Sequence, residues 1–331
     1  MDFKFSRFLL LLGFSLSLLA NAQVPARDGE TSQNAAKKRL PTGVLLVKGA
    51  WASGSDSTTP IPEGGGILNH LYRNDYFGLT YGLPQDWTQK YAGPPPSDSG
   101  AYVLAQIRPA DSSPGGVRGS ILISAQDLFF TLTQADSALA LINYTKDHLS
   151  ADDKVERPPT EVHIANHSFV RFDYFSPVAE LHWYVLATQI RCHVVQFVFT
   201  SRDTDLLNRL IQQMNTMKLP AEADLHGATA DDCPVCLKDY ASGENVIERE
   251  DPVFTERAFN PVPVRIIIDT QGKVRHIHFL SAFPSQAKSI TDALQQWRFR
   301  TYLRDGKPAE VETGILFGRP PQTHTPPARA H

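Results

Sequence analysis

This sequence has few cysteines, a small net charge and few long apolar runs, and each of these shortages excludes a class of protein. The 331 residues include only 3 cysteines, which excludes a disulfide-rich scaffold. The formal net charge is −3, so the chain lacks the basic field that is typical of nucleic-acid-binding proteins. Hydrophobic residues make up 42% of the chain, which excludes a wholly disordered protein. The length predicts two domains and linkers.

Sequence motifs of common catalytic chemistry are missing as well. The chain has no glycine-rich loop of the kind that holds phosphates, and no paired-carboxylate motif or Ser-His-Asp order stands out. We therefore expect a protein that is not an enzyme and that carries no cofactor. An enzyme with an unrecognised pocket in residues 72–219 remains an alternative.

The N-terminus has the parts of a secretory signal peptide. Two basic residues precede an apolar run, Phe8–Ala20, whose 13 residues are fewer than the roughly 20 that span a bilayer. Ala20-Asn21-Ala22 then supplies the small residues of a cleavage site. The pattern predicts a bacterial signal peptide over residues 1–22 and a periplasmic or secreted mature chain without a transmembrane segment, beginning at Gln23.

Three further segments are predicted to be poor in fixed structure. Residues 23–71 favour a flexible leader, because Ser53–Gly66 is a string of small and polar residues that cannot bury enough apolar area. Within it Gly43–Val47 has strand propensity and could pack on a later domain. Residues 220–251 are predicted to be a linker, and residues 320–331 a disordered tail.

In residues 72–219, segments with the period of a strand and segments with helical spacing together predict an α+β domain. The order of strands, helix, four strands and helix indicates an antiparallel sheet with helices segregated from it. The segment Tyr76–Tyr81, followed by Pro84, Trp87 and then these helices and hairpins, resembles the PsbP-like fold. That family shares no catalytic residue set, so the resemblance implies a structural role for Trp87 in the core.

The last domain, residues 252–319, is predicted to have the order β-β-α-β. A hairpin precedes the helix Ser285–Trp297, and a closing strand, Val311–Phe317, follows it. This order resembles the TonB C-terminal domain. The matching residues are Gly272, Val274, Ser281, Pro284, Ala293, Trp297, Arg298, Phe299, Gly306, Pro308 and Phe317. The resemblance implies that Trp297, Phe299, Gly272 and Gly306 are structural anchors.

The TonB resemblance also implies a function. Such domains bind protein partners and can accept an extended peptide along a sheet edge. An energy transducer of the TonB type also needs an uncleaved membrane anchor, which the cleavable signal peptide disfavours. We therefore expect an exported, non-enzymatic binding protein of the cell envelope that has a protein partner and no nucleic-acid ligand.

The cysteines offer a competing function. Cys233 and Cys236 are close enough to form a local disulfide in an oxidising compartment, and Cys192 is then expected to be a free or partly buried thiol. A redox couple or a metal site at the same pair are the alternatives. The neighbouring charges of Asp231 and Asp232 would raise a thiol pKa, which disfavours redox chemistry and hence an envelope redox protein.

Two histidines are weak candidates for a metal site. His276 and His278 are two residues apart on a predicted strand, so their side chains share a face. No third ligand is visible in the sequence, so a solvated polar face is favoured over a metal site.

Overall fold

A computed structural model of the chain has α+β architecture, with mostly antiparallel sheets and, in its described part, three α-helices. It describes residues 45–47, 50–55, 61–91, 99–110, 119–131, 136–220, 234–254 and 261–318. The coarse class that the sequence predicts is therefore confirmed. The predicted signal peptide, the predicted tail and Cys233 lie outside the described residues.

The strands and helices are numbered here in chain order. The strands are β1 (Leu45–Val47), β2 (Ala50–Ser55), β3 (Gly66–Leu68), β4 (Leu71–Asn74), β5 (Leu79–Gly82), β6 (Trp87–Tyr91), β7 (Ala101–Pro109), β8 (Gly119–Asp127), β9 (Lys154–Ile164), β10 (His167–Ser176), β11 (Leu181–Ile190), β12 (His193–Ser201), β13 (Val235–Cys236), β14 (Val246–Glu248), β15 (Val262–Ile268), β16 (Val274–Phe279), β17 (Arg298–Phe299), β18 (Tyr302–Arg304), β19 (Lys307–Ala309) and β20 (Val311–Phe317). The α-helices are α1 (Ala138–Asp147), α2 (Thr204–Gln213) and α3 (Pro284–Leu294).

The larger sheet, called the N-terminal sheet below, has seven antiparallel strands in the order β6-β7-β8-β12-β11-β10-β9. Both faces are covered, because α2 and the small β3-β4-β5 sheet pack on one face and α1 packs on the other. The arrangement follows from the alternation of buried and less buried residues along each strand. In β5, Leu79 and Tyr81 are fully buried, while the residues between and after them are not. Trp87 is 6% exposed in the same core.

The helices begin at side-chain caps that local sequence provides. The Ser137 hydroxyl accepts the Ala140 N–H at the start of α1, and the Asp203 carboxylate accepts the N–H groups of Asp205 and Leu206 at the start of α2. Pro284 occupies the first turn of α3, where a missing N–H costs nothing. Among the described residues, no helix is both long enough and apolar enough to span a membrane.

The second sheet, called the C-terminal sheet below, has six strands in the order β1-β2-β16-β15-β20-β13. The central strands β16, β15 and β20 are antiparallel, and β13 is parallel to β20. The helix α3 packs on one face of this sheet in a core around Trp297, which is 1% exposed and contacts Phe299 and Phe317.

Two glycines of this region adopt backbone conformations that L side chains rarely adopt. Gly272 has φ +77°, and a Cβ there would lie 2.1 Å from the Phe299 carbonyl oxygen, so the β15–β16 turn tolerates no side chain. Gly306 also has φ +77° and forms the β18–β19 turn.

The segments predicted to be leader and linker contribute strands in the structure. Within the predicted leader, residues 45–47 and 50–55 form β1 and β2, and residues 61–71 form a 3-10 helix, the strand β3 and the first residue of β4. Residues 234–254 contribute β13 and β14, and Tyr240 joins the core of the C-terminal sheet. Strands of two to four residues are too short to show an alternating pattern, and the glycine and proline around them are typical of loops.

Candidate functional site

The strand β15 is buried along its whole length, because it packs on both faces. Val264, Ile266 and Ile268 point toward α3, so Arg265 and Ile267 point the opposite way. A charged residue in the middle of an apolar strand is therefore aimed at the N-terminal sheet.

Neighbouring strands add polar residues to the face that carries Arg265. Across β15, Arg265 pairs with His278 and with Gly314, while Ile267 pairs with His276 and with Glu312. Residues that pair directly share a face of the sheet. These six positions therefore share one face, which carries four polar side chains and which we call the interface patch.

An ion network joins the interface patch to the N-terminal sheet. Arg265 is 2% exposed and donates from Nη2 to Glu312 Oε1 at 2.5 Å and to the Tyr76 hydroxyl at 2.7 Å. Its Nη1 donates to Asp127 Oδ2, and Asp127 is the last residue of β8. The Tyr76 hydroxyl donates in turn to Glu312 at 3.0 Å. One arginine thus bridges carboxylates from both sheets.

His193 lies under this network and is fully buried. Its Nε2 is 3.7 Å from Asp127 Oδ2 and 3.3 Å from Arg265 Nη1, and its ring meets the ring of Tyr102 edge-on. Neither His193 Nδ1 nor the Tyr102 hydroxyl has a hydrogen-bond partner among the described residues.

The ionisation of these groups follows from burial and from the positive charge of Arg265. Burial lowers the pKa of His193 well below its usual value, and Arg265 lowers it further, so His193 is neutral. Burial raises the pKa of Asp127, and Arg265 offsets only part of that rise. Burial alone would raise the pKa of Glu312, but Arg265 and Arg191 together bring it below its usual range.

The two candidate metal ligands belong to the same interface. His276 and His278 are 5% and 2% exposed, so the prediction of a solvated polar face is wrong. The N-terminal part of the chain covers them: His278 Nε2 is 3.0 Å from Glu63 Oε1, and a small cavity lies between His276 and Arg191. Among the described residues, no group of three or more His, Cys, Asp or Glu side chains could hold a metal ion.

A disulfide crosses the same interface. Cys192, in the turn between β11 and β12, is bonded to Cys236 of β13, 44 residues away. The predicted Cys233–Cys236 bond and the predicted free thiol of Cys192 are therefore wrong. The short spacing in the sequence favoured a bond between Cys233 and Cys236. In the structure, the pairing of β13 with β20 brings Cys236 to Cys192. The Sγ atom of Cys192 also lies 3.8 Å from Glu312 Oε2.

The disulfide predicts a specific difference between cysteine variants. Replacing Cys192 with alanine should lower the free energy of unfolding by about 2–4 kcal/mol, because a long loop is no longer closed. Cys233→Ala is the matched control and should stay within about 0.5 kcal/mol of the parent. Denaturant melts without reductant measure both. An equal or larger loss in Cys233→Ala would contradict the Cys192–Cys236 pairing.

Acid should destabilise the protein through His193. Below about pH 6.5 the unfolded chain binds a proton at this residue that the folded chain does not, because the folded pKa is lowered. This contribution to stability is therefore complete above pH 6.5 and falls by up to about 1.4 kcal/mol per pH unit below it. Melts between pH 7 and 5 should show a shallower slope for His193→Gln than for the parent. A slope in His193→Gln identical to that of the parent would contradict the assignment.

Both faces of the C-terminal sheet are thus covered by described residues, and the outer side of β20 forms one of its edges. The N–H groups of Val235 and Leu237 donate to the carbonyls of Glu310 and Glu312, so even-numbered residues of β20 aim their backbone outward. Within the described residues, no strand pairs with the outer side of β20 after Glu312. The next outward residues are Gly314 and Leu316, and Leu316 is 51% exposed.

Sequence reasoning missed the central residue of the interface. Arg265 interrupts an otherwise apolar strand, and that interruption is the signal that could have identified it. The predicted structural anchors lie in two separate places. In or beside the C-terminal sheet are Trp297, Phe299, Gly272 and Gly306, whereas Trp87 lies in the core of the N-terminal sheet.

Comparisons with known proteins add little. No protein-family profile and no curated protein matches the chain. Among solved structures, the chain is similar to the solution structure of cyanobacterial PsbP (CyanoP) from Synechocystis sp. PCC 6803. The TM-score is 0.33 and the identity 15%, over 47% of this chain and 96% of that chain. A score this low supports no argument about function, and the resemblance of residues 252–319 to TonB stays a prediction.

Proposed function

We propose that this chain is an exported, non-enzymatic binding protein of the bacterial cell envelope. In this proposal the C-terminal sheet docks a protein partner, which adds an extended strand to the outer edge of β20. The observation that carries the proposal is the outer side of this strand beyond Glu312, with which no described strand pairs and beside which Leu316 is exposed.

An edge suits this role because the two faces of the sheet are already used. The helix α3 fills one face around Trp297, and the ion network of Arg265 fills the other. Unpaired backbone groups on an edge offer hydrogen bonds to an incoming strand. The exposed Leu316 adds an apolar contact for one side chain of that strand.

The C-terminal sheet also recruits strands from outside its own β15-β16-α3-β20 unit. The strand β13 is added in parallel to the start of β20, and β2 is added antiparallel to the end of β16. Edge pairing is therefore a mode of assembly that this sheet uses twice within its own chain. This behaviour supports the same mode for a partner, in agreement with the resemblance to TonB C-terminal domains.

The location in the cell envelope rests on two features. The N-terminal sequence has the parts of a signal peptide, and the Cys192–Cys236 bond fits an oxidising compartment such as the periplasm. An energy-transducing role is not part of the proposal, because the predicted signal peptide is cleavable.

The proposal is tested by blocking the edge of β20 without changing its inner pairing. Leu316→Pro removes an outward N–H, whereas the matched control Leu316→Ala keeps that N–H and removes only the side chain beyond Cβ. Full-length tagged chains are recovered from the native envelope and their bound proteins are quantified by mass spectrometry. We expect a protein that the parent and Leu316→Ala retain and that Leu316→Pro loses. Identical bound proteins for all three chains would contradict docking at this edge.

A further inference from the structure

The disulfide between Cys192 and Cys236 joins a firmly held turn to a weakly held strand. Cys192 is 1% exposed, and its carbonyl accepts the Leu128 N–H at 2.9 Å. The next residue, His193, pairs with Asp127 in the N-terminal sheet. The turn that carries Cys192 is therefore held by the N-terminal sheet as well as by the disulfide.

The strand β13 is held by fewer contacts. It has two residues, both half-buried, and in the described part of the chain it pairs with β20 alone. The Val235 N–H donates to the Glu310 carbonyl at 2.7 Å, and the Leu237 N–H donates to the Glu312 carbonyl at 3.0 Å. Because each such bond contributes only about 1 kcal/mol, the disulfide supplies much of the attachment of β13.

The chain after β13 has attachments of its own. Leu237 packs against the core of the C-terminal sheet, and Tyr240 belongs to that core. The Lys238 carbonyl accepts the Thr313 hydroxyl at 3.3 Å. Opening of the disulfide would therefore release β13 without detaching the segment that follows it.

The two sulfur atoms differ in access and in what surrounds them. Cys236 is half-buried and Cys192 is buried, so an attacking thiolate reaches Cys236 Sγ first. Cys192 Sγ lies 3.8 Å from Oε2 of Glu312, a carboxylate that is ion-paired with Arg265. A reduced Cys192 thiol can donate a hydrogen bond to that oxygen, whereas the disulfide sulfur cannot. An interaction that only the reduced form makes favours reduction of the disulfide.

We propose that the Cys192–Cys236 disulfide is a redox switch that sets the length of the β20 edge, and that a dithiol protein of the envelope reduces it. One thiolate of the reductant attacks Cys236 Sγ, the bond to Cys192 breaks, and Cys192 leaves as a thiolate that takes up a proton. The second thiol of the reductant loses its proton and attacks the mixed disulfide, which releases Cys236. The reductant ends as a disulfide and this chain as two thiols, so electrons and protons balance.

Reduction changes which backbone groups the edge offers. With the disulfide closed, β13 covers the outward carbonyls of Glu310 and Glu312. Once β13 leaves, these groups continue the outward row of Gly314 and Leu316. Regulation of docking by this change rests on the proposed function, whereas the release of β13 does not.

The test uses the full chain with Cys233→Ala, so that Cys192 and Cys236 are its only thiols. Dithiothreitol is added to the folded chain, and labelled thiols are counted by mass spectrometry. We expect both thiols to be labelled while circular dichroism shows a folded chain. In hydrogen exchange resolved to single amides, reduced Val235 should exchange within about tenfold of an unstructured peptide, and the amides of β15 and β16 at least about a hundredfold more slowly.

A serine variant separates the switch from side effects of the reductant. Cys192→Ser cannot form the disulfide, and its hydroxyl can donate to Glu312 as the thiol would. Without reductant, this variant should show the fast exchange of Val235 that the reduced chain shows. Slow exchange of Val235 in Cys192→Ser would show that the backbone bonds alone hold β13, against the inference.

Three further results would overturn the inference. A disulfide that dithiothreitol opens only when the chain unfolds would be a permanent link. Val235 that exchanges equally slowly in the oxidised and reduced chains would show that reduction does not release β13. Amides of β15 and β16 that exchange as fast as Val235 after reduction would show that the disulfide holds the whole fold. None of these results bears on docking itself, which the capture experiment with Leu316→Pro tests separately.

Discussion

Replacing Arg265 with methionine is expected to lower the free energy of unfolding by about 3–5 kcal/mol. Arg265 is 2% exposed, and the substitution leaves Asp127 buried without its cation and removes one of the two cations that act on the buried Glu312. Removing one partner of a buried ion network costs far more than the network contributes, because the remaining charges cannot reach water. The loss should appear in urea melts followed by circular dichroism at neutral pH.

A matched arginine in the same sheet provides the control. Arg275 is paired with Glu310 at 3.0 Å, but its side chain is 52% exposed. Arg275→Met should therefore cost no more than about 1 kcal/mol. Adding Asp127→Asn and Glu312→Gln to Arg265→Met should restore part of the lost stability, since no unpaired charge is then buried. Equal costs for the two arginine variants would contradict the buried network.

Replacing Trp297 with alanine is the second change with a large expected effect, about 3–5 kcal/mol. The ring packs against Phe299 and Phe317, and its Nε1 donates to the Glu250 carbonyl at 2.7 Å. Removing the side chain thus leaves a cavity in the core of the C-terminal sheet and removes the hydrogen bond to the Glu250 carbonyl. The melting temperature should fall steeply and any partner binding should be lost with the fold.

Phe283 is the matched control for Trp297. It is an aromatic residue at the start of α3 that is 64% exposed, so Phe283→Ala should change stability by no more than about 0.5 kcal/mol. Thermal melts and partner capture are compared for both variants. A Trp297→Ala chain that melts like the parent but no longer binds would instead assign Trp297 to a binding surface.

The architecture was predictable because it depends on local periodicity. Alternation at Leu79 and Tyr81 and the apolar face of α2 are properties of short windows of sequence, and they predict antiparallel strands and segregated helices. The shared face of His276 and His278 follows from the same period of two. Whether that face meets water or another sheet depends on how the two sheets pack, which no local window shows.

The interface could not be predicted for the same reason. The bond between Cys192 and Cys236 joins a β-turn to a two-residue strand, and neither has a distinctive pattern. Arg265 was the one visible clue, because a charge in the middle of an apolar strand needs a buried partner. The partner Asp127 lies 138 residues away in sequence and could be identified only from the fold.

The joining of the two sheets is tested most directly by finding which cysteine is bonded to Cys192. Trypsin without reductant should release peptide 192–202 linked to peptide 219–238, which contains both Cys233 and Cys236. Fragmentation between Cys233 and Pro234 assigns the bonded sulfur. We expect the link to remain on the fragment with Cys236, with Cys233 as the free thiol. A free Cys192 peptide, together with a bond inside 219–238, would contradict the interface and the account of the β20 edge that depends on it.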